Sequence, residues 1–293
     1  MRVKRRPGIA LGGGGLLGVA HIGVLEVLEE NGIQPAVITG TSAGSIVGAL
    51  YAAGVGPPVM RELVLAVQKR DLFAWNFNPY SFVRFLLGNL KDIAGFLEAV
   101  PRGLFSGEKI GGLVERVTGK RRFSDLKIPF GVVAADLISG KRVVFSSTSG
   151  DGPSPDTIFF GDASLGLAVQ ASSAVPGVFE PVPFKGTLLA DGGLVEMVPA
   201  SLARRLGASV VVAVSLRRLG TVQEPQSLIQ VVQRGIDIMH LHGTRQDLEA
   251  ADLVIEPLAQ DVKLGDFDRI PELIERGRHA AREALQGLKK LLG

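Results

Sequence analysis

Pro7 to Leu11 is a short apolar run that breaks off into Gly12-Gly13-Gly14-Gly15. Beyond it, Val24, Leu25, Val27 and Leu28 recur at helical spacing as far as Gly32, which acts as a stop signal. The pattern predicts a strand, a loop and a helix from about Leu17 to Asn31. Ala36 to Thr39 is a second buried strand that runs into Gly40-Thr41-Ser42-Ala43-Gly44 and then a helix over Ser45–Ala53, closed by Gly54 and Pro57-Pro58. Such alternation argues for a mostly parallel sheet with helices on its faces. Later strands are expected at Phe130–Ala135, Arg142–Ser146, Ser209–Ser215 and Leu253–Glu256. Helices are expected at Gly107–Val117, Ser164–Ser172, Val198–Leu206, Gln226–Ala250 and Pro271–Leu292.

No internal repeat or long polar linker interrupts this order, so residues 1–293 are expected to form a single domain. Its core would span about 8–200, with a C-terminal strand and helices over 201–293. Asp71 to Phe105 is rich in aromatics, among them Trp75, Phe82 and Phe85. Two readings stay open for it: a helical hairpin packed on its own rings, or an apolar cap over a site for greasy substrates. Ser147 to Pro155 reads as an exposed loop.

Composition sharpens the class. At 46% hydrophobic and 21% charged residues the chain can bury a large core, and its 38 glycines cluster in loops instead of repeating in register. The formal net charge is +3, carried in small clusters such as Arg2/Lys4/Arg5/Arg6 and Lys120/Arg121/Arg122. These are expected to be solvated surface, the sharper alternative being loose peripheral attraction to an anionic membrane. Nucleic acid is not an expected partner, because no element interleaves these charges with base-stacking aromatics. With no cysteine, thiol catalysis, disulfides and cysteine metal sites are excluded. The basic start followed by an apolar run resembles a signal peptide, but six glycines in Gly8–Ala20 make it a poor apolar helix. No stretch reaches the 18 or so apolar residues of a membrane span. The expectation is a cytoplasmic protein, with association at a membrane surface as the alternative.

Gly40-Thr41-Ser42-Ala43-Gly44 is the G-x-S-x-G match. On a tight strand-to-helix turn the serine is forced into a strained conformation, and the flanking glycines let backbone approach without clash. The hydroxyl then stands at a helix N-terminus, where the dipole favours a developing oxyanion. In so glycine-rich a chain the match alone is weak. Its place between an apolar strand and a helix strengthens it.

Gly12 to Gly18 admits two functional readings. Gly13, Gly15 and Gly18 formally fit a dinucleotide fingerprint, but that motif wants an acidic residue at the end of the second strand, where Thr39-Gly40-Thr41-Ser42 stands. The better fit is an oxyanion hole, since consecutive glycines expose backbone N–H groups that converge on one oxygen. The serine needs a base. His21 is expected to be a buried structural residue. His240, His242 and His279 lie in helices, and a Ser-Asp-His order is allowed by position. Asp191-Gly192-Gly193 offers another base at the end of the apolar stretch Thr187–Ala190, with a plain hairpin turn as the bland alternative.

Taken in order, four blocks resemble the bacterial patatin-like phospholipases: Gly13 to Gly18, Gly40 to Gly44, Ala171-Ser172-Ser173-Ala174-Val175-Pro176-Gly177-Val178-Phe179-Glu180-Pro181, and Asp191-Gly192-Gly193. Ala20–Leu25 and Ala251–Pro257 are also similar, so the resemblance covers about residues 8–285. It implies an α/β three-layer sandwich with a central mostly parallel sheet, and a Ser-Asp dyad that uses no histidine. Ser42 would be the nucleophile and Asp191 the base, with the amides of Gly14 and Gly15, joined by Gly13, as the oxyanion hole. Two-step ester hydrolysis of phospholipids, lysophospholipids or other acyl lipids would follow, with no cofactor and no metal. One position departs: the family usually carries Arg or Lys just before the last loop glycine, and this chain has Leu17. That departure bears on phospholipid preference, and it supports the alternative of a catalytically weak relative that binds lipid. A nucleotide-binding α/β protein is the third reading.

Overall fold

The computed structural model describes residues 5–68, 74–75, 102–119, 122–148, 154–216, 224–226, 228–257, 259, 262 and 265–293. The strands are β1 (Pro7–Leu11), β2 (Val37–Thr41), β3 (Ala74–Trp75), β4 (Gly103–Ser106), β5 (Phe130–Asp136), β6 (Arg142–Ser146), β7 (Thr157–Phe160), β8 (Gly177–Phe179), β9 (Val182–Phe184), β10 (Thr187–Asp191), β11 (Val210–Val214) and β12 (Leu253–Ile255). The helices are α1 (Ala20–Glu30), α2 (Ala43–Ala52), α3 (Pro57–Ala66), α4 (Glu108–Thr118), α5 (Leu165–Ser172), α6 (Ala200–Arg205), α7 (Leu228–Asp247) and α8 (Ile270–Leu292). Apart from Ala74–Trp75 and residues 102–105, which include the start of β4, the aromatic stretch Asp71–Phe105 lies outside the described residues, as does part of the Ser147–Pro155 loop.

Strand order in the main sheet is β12-β11-β1-β2-β5, with all four of these pairings parallel. Beyond β5 the sheet turns antiparallel, through β6 on one edge and β10 and β9 on the other. β3, β4 and β8 form a small separate sheet. Side chains alternate along each central strand, and the core divides accordingly. Ile9, Leu11, Ile38, Val132, Val212 and Val214 enter one layer with α1, α2 and α5. Ala10, Val37, Val133, Val211 and Ala213 enter the other with Ala200, Leu202 and Ala203 of α6. Period-two alternation with apolar residues on both sides is what a sheet covered on both faces requires. The expected three-layer α/β sandwich is therefore present.

Most expected elements appear within two residues of their positions. Two differ in kind. The first is α3: Pro57-Pro58 was expected only to close α2, yet the prolines occupy the first helical positions of a new helix, where a missing N–H costs nothing. The second is the helix after the glycine loop, which opens as a 3-10 turn over Gly15–Val19 before α1 begins.

The outer helices are locked by charge as well as apolar contact. Glu26 of α1 is only 7% exposed, and its carboxylate accepts both Nε and Nη2 of Arg61 of α3 and Nη1 of Arg278 of α8, each at 2.7 Å. Burial works to raise its pKa, but the two guanidinium groups hold it below the ordinary glutamate value. Glu26→Ala leaves both cations without this partner. Urea denaturation is expected to show a loss of roughly 2–3 kcal/mol, the range for hydrogen bonds to charged groups in partly buried settings. A loss within experimental error would mean that the triad is merely tolerated.

Candidate active site

Ser42 sits between the last residue of β2 and the first of α2 with φ 51° and ψ −124°. A non-glycine residue at positive φ costs about 1–3 kcal/mol and survives only where its surroundings over-determine it. They do here. A Cβ on Gly44 would stand 2.1 Å from the Leu11 carbonyl oxygen, and one on Gly40 would stand 2.5 Å from the Gly44 carbonyl oxygen. Both motif glycines thus allow backbone to pass where no side chain fits. The Ser42 N–H donates to Ser172 Oγ at 2.8 Å, and the Ser172 hydroxyl donates to the Val133 carbonyl at 2.6 Å. The Ser42 carbonyl accepts from Ser45 Oγ at 2.6 Å.

Asp191 reaches this turn by an unexpected route. β2 runs up one edge of β5 and ends with Thr41 opposite Val133. β10 runs the other way along the same edge and ends with Asp191 opposite Ala134. β6 occupies the far edge across the same residues, so β2 and β10 meet end to end. The Ser42 turn and Asp191 are therefore neighbours at a junction of two strands. β10 is antiparallel to β5, so the rule about carboxyl ends of parallel strands does not place Asp191 here. Gly192 seals the junction: a Cβ there would lie 2.2 Å from the Val133 carbonyl oxygen and 3.1 Å from Thr41 Cγ2. The Asp191 N–H donates to the Ala174 carbonyl at 2.9 Å, and Asp191 Oδ1 accepts the Gly193 N–H at 2.8 Å.

The segment after Asp191 clamps everything around it. Thr41 Oγ1 donates to the Glu196 carbonyl at 2.9 Å and Thr39 Oγ1 to the Pro199 carbonyl at 2.7 Å. The Gly13 N–H donates to the Met197 carbonyl at 3.0 Å. That bond ties the glycine loop down but commits the Gly13 amide, which leaves Gly14 and Gly15 as the loop's candidate oxyanion donors. Glu196, from which the sequence yielded nothing, is buried and accepts from Arg142 Nη1 at 2.7 Å and Ser201 Oγ at 2.6 Å. Asp247 Oδ2 accepts the N–H groups of Met197 and Val198 at 2.8 and 3.1 Å. Ser172, Thr41, Glu196 and Asp247 were missed as positioning residues. Thr41 and Ser172 lay inside blocks with a visible pattern, whereas Glu196 and Asp247 act through contacts between residues far apart in the chain.

Comparison with known proteins decides the family. The family model for patatin-like phospholipase matches residues 9–204. An uncharacterised NTE family protein of Mycobacterium tuberculosis is 35% identical over 214 residues, which cover 72% of this chain and 49% of that protein. The human patatin-like phospholipase domain-containing protein 6 is 30% identical over 210 residues, covering 71% of this chain and 13% of that one. This chain belongs to the patatin-like phospholipase family. It spans half or less of the length of these curated relatives. Among solved structures, VipD from Legionella pneumophila aligns with a TM-score of 0.51 at 14% identity, over 97% of this chain and 67% of that one, a likeness of fold.

In this member of the family, Ser42 and Asp191, 7% and 5% exposed, both line one cavity of about 440 Å³ together with Gly13, Gly14 and Gly15. Its wall is overwhelmingly apolar. Leu17 is part of that wall and packs on the core. Of the histidines, His240 lines the cavity, His242 is exposed, and His279 is 76% exposed on α8. Among the described residues, no group of three or more His, Asp or Glu is placed to hold a metal, and no helix is long and apolar enough to cross a membrane.

His21 is fully buried, and its Nε2 bonds the Gly12 carbonyl at 2.8 Å, so a neutral imidazole pins the start of the glycine loop. Burial pushes its pKa down to about 4, against the opposing effect of that bond. Between the unfolded value of 6.5 and about 4 the unfolded chain binds a proton that the folded chain refuses. Stability attributable to His21 is therefore present above pH 6.5 and falls with pH across that window, by about 3 kcal/mol in full. Asp247, raised to about 6 chiefly by burial, pulls the other way over much of the same range. The His21 effect is thus read as the difference between wild type and His21→Gln. That difference is expected to shrink as pH falls from 6.5 to 4. A constant difference would show that His21 titrates normally in the fold.

Proposed function

We propose that the chain is a serine esterase acting on acyl lipids, of the phospholipase A or lysophospholipase type, working through a Ser42–Asp191 dyad. The observation that supports this reading is the end-to-end meeting of β2 and β10, which makes the strained Ser42 turn and Asp191 neighbours in the lining of one largely apolar cavity.

The chemistry follows from the parts. Asp191 takes the proton from Ser42 Oγ as it attacks the ester carbonyl. The amides of Gly14 and Gly15, with the N-terminus of α2, stabilise the oxyanion. The ester C–O bond breaks, the departing oxygen receives the proton from Asp191, and an acyl-serine remains. Water then attacks the acyl-serine, giving its proton to Asp191, which returns it to Ser42. The apolar wall accepts an acyl chain, and no step calls for a metal or cofactor. Leu17 keeps the loop side of the cavity uncharged, which favours recognition of the acyl part over an anionic head group. Substrate lipids imply contact with a lipid surface from the aqueous side.

Hydrolysis of p-nitrophenyl esters tests the reading. Ser42→Ala and Asp191→Asn are each expected to lower kcat/KM on the order of a thousandfold while circular dichroism stays that of wild type. A His242→Gln/His279→Gln double variant is expected to match wild type. Full activity in Ser42→Ala would refute the assignment, and an inert wild type would favour the lipid-binding relative.

A further inference from the structure

The cavity has two chemically different ends. Ile46, Leu50, Met60, Val64, Ile110 and Val114, from α2, α3 and α4, make one end wholly apolar. The other end is built by Asp191, Leu194 and Met197 with Ile236 and His240 of α7. α7 is anchored there by Asp247, which accepts the Met197 and Val198 N–H groups at 2.8 and 3.1 Å. On the same helix, about two turns before Asp247, stands His240, whose carbonyl accepts from Thr244 Oγ1 at 2.6 Å. A Cβ built on Gly193 would lie 3.3 Å from His240 Nε2 and 3.0 Å from Asp191 Oδ1. Imidazole and carboxylate thus flank one point at the polar end. No lysine or arginine is among the described residues lining the cavity.

An ester whose acyl chain enters the apolar end must direct its alcohol portion toward the other. We propose that His240 is a leaving-group contact there: its ring N–H donates a hydrogen bond to the alcohol oxygen as that oxygen departs. The group it serves is an alkyl alcohol of the glycerol type. This rests on the serine-esterase reading above. His240 transfers no proton. The Ser42 Oγ–C bond forms, the ester C–O bond breaks, and the proton passes from Ser42 to Asp191 to the departing oxygen. An alkoxide concentrates negative charge on that oxygen, and a hydrogen bond to a charged acceptor is about twice as strong as one between neutral groups. A p-nitrophenolate spreads its charge into the ring and needs the contact far less.

The test compares p-nitrophenyl octanoate with monooctanoylglycerol, whose shared acyl chain cancels acyl binding, and reads kcat/KM, which reports acylation. His240→Ala is expected to slow the glyceryl ester at least tenfold more than the aryl ester. His240→Gln keeps an N–H donor and is expected to recover most of that difference. Equal losses on both esters would mean that His240 only supports the fold of the site, and no loss on either would mean that it touches nothing that reacts. A loss on both esters as deep as that of Asp191→Asn would make His240 the base. Each of these three results overturns the proposal. If Ser42→Ala silences the enzyme while His240 variants fail to discriminate, His240 alone loses its role. If Ser42→Ala retains activity, the serine-esterase reading falls and this proposal falls with it.

Discussion

Two strands share one edge of β5, and neither can extend past the other. β2 stops at Thr41 opposite Val133, β10 stops at Asp191 opposite Ala134, and the chain must turn away from the sheet at both ends. Backbone hydrogen bonding alone forces this, since β6 already takes the opposite edge of β5. The turn out of β2 is sharp enough to put Ser42 at positive φ, and the turn out of β10 is sharp enough to demand Gly192. A serine and an aspartate at these two ends are therefore held together by the sheet itself. Sites held by regular elements keep tighter geometry than sites on loops.

The junction is reinforced by the chain that leaves it. From Gly192 to Pro199 the backbone gives carbonyls to Thr39, Thr41 and the Gly13 N–H, and its own N–H groups at Met197 and Val198 go to Asp247. Asp191, the strand that leads into Ser42 and the glycine loop thus share one scaffold. His21 secures the loop from the other side through Gly12, and Ser172 secures the Ser42 amide. His21, Thr39, Thr41 and Ser172 are buried and hydrogen-bonded, so removing one strands its partner in a low-dielectric interior.

The central strands were legible because their apolar residues come in short, turn-bounded runs, and the nucleophile turn because glycine spacing reports a steric demand. Asp191 was legible only in company with the other family blocks, since alone it is a D-G turn. The direction of β10 could not be read: β8, β9 and β10 are short and separated by a few residues, and their pairing is settled by β5. Pro57-Pro58 misled because proline both ends and begins helices. The commitment of the Gly13 amide to Met197 and the station of His240 beside Gly193 depend on contacts across most of the chain. The aromatic stretch was legible as unusual, and its two readings stand as they did.

On the reading proposed above, Asp191 activates Ser42. Labelling with an alkyl fluorophosphonate, followed by mass spectrometry of the modified peptide, tests it most directly, because only an activated serine reacts and the site of the adduct is read without any substrate. The expected result is an adduct on Ser42 in wild type, formed at least about a hundredfold more slowly in Asp191→Asn. An adduct on another serine, or one on Ser42 that forms as fast in Asp191→Asn as in wild type, would contradict it.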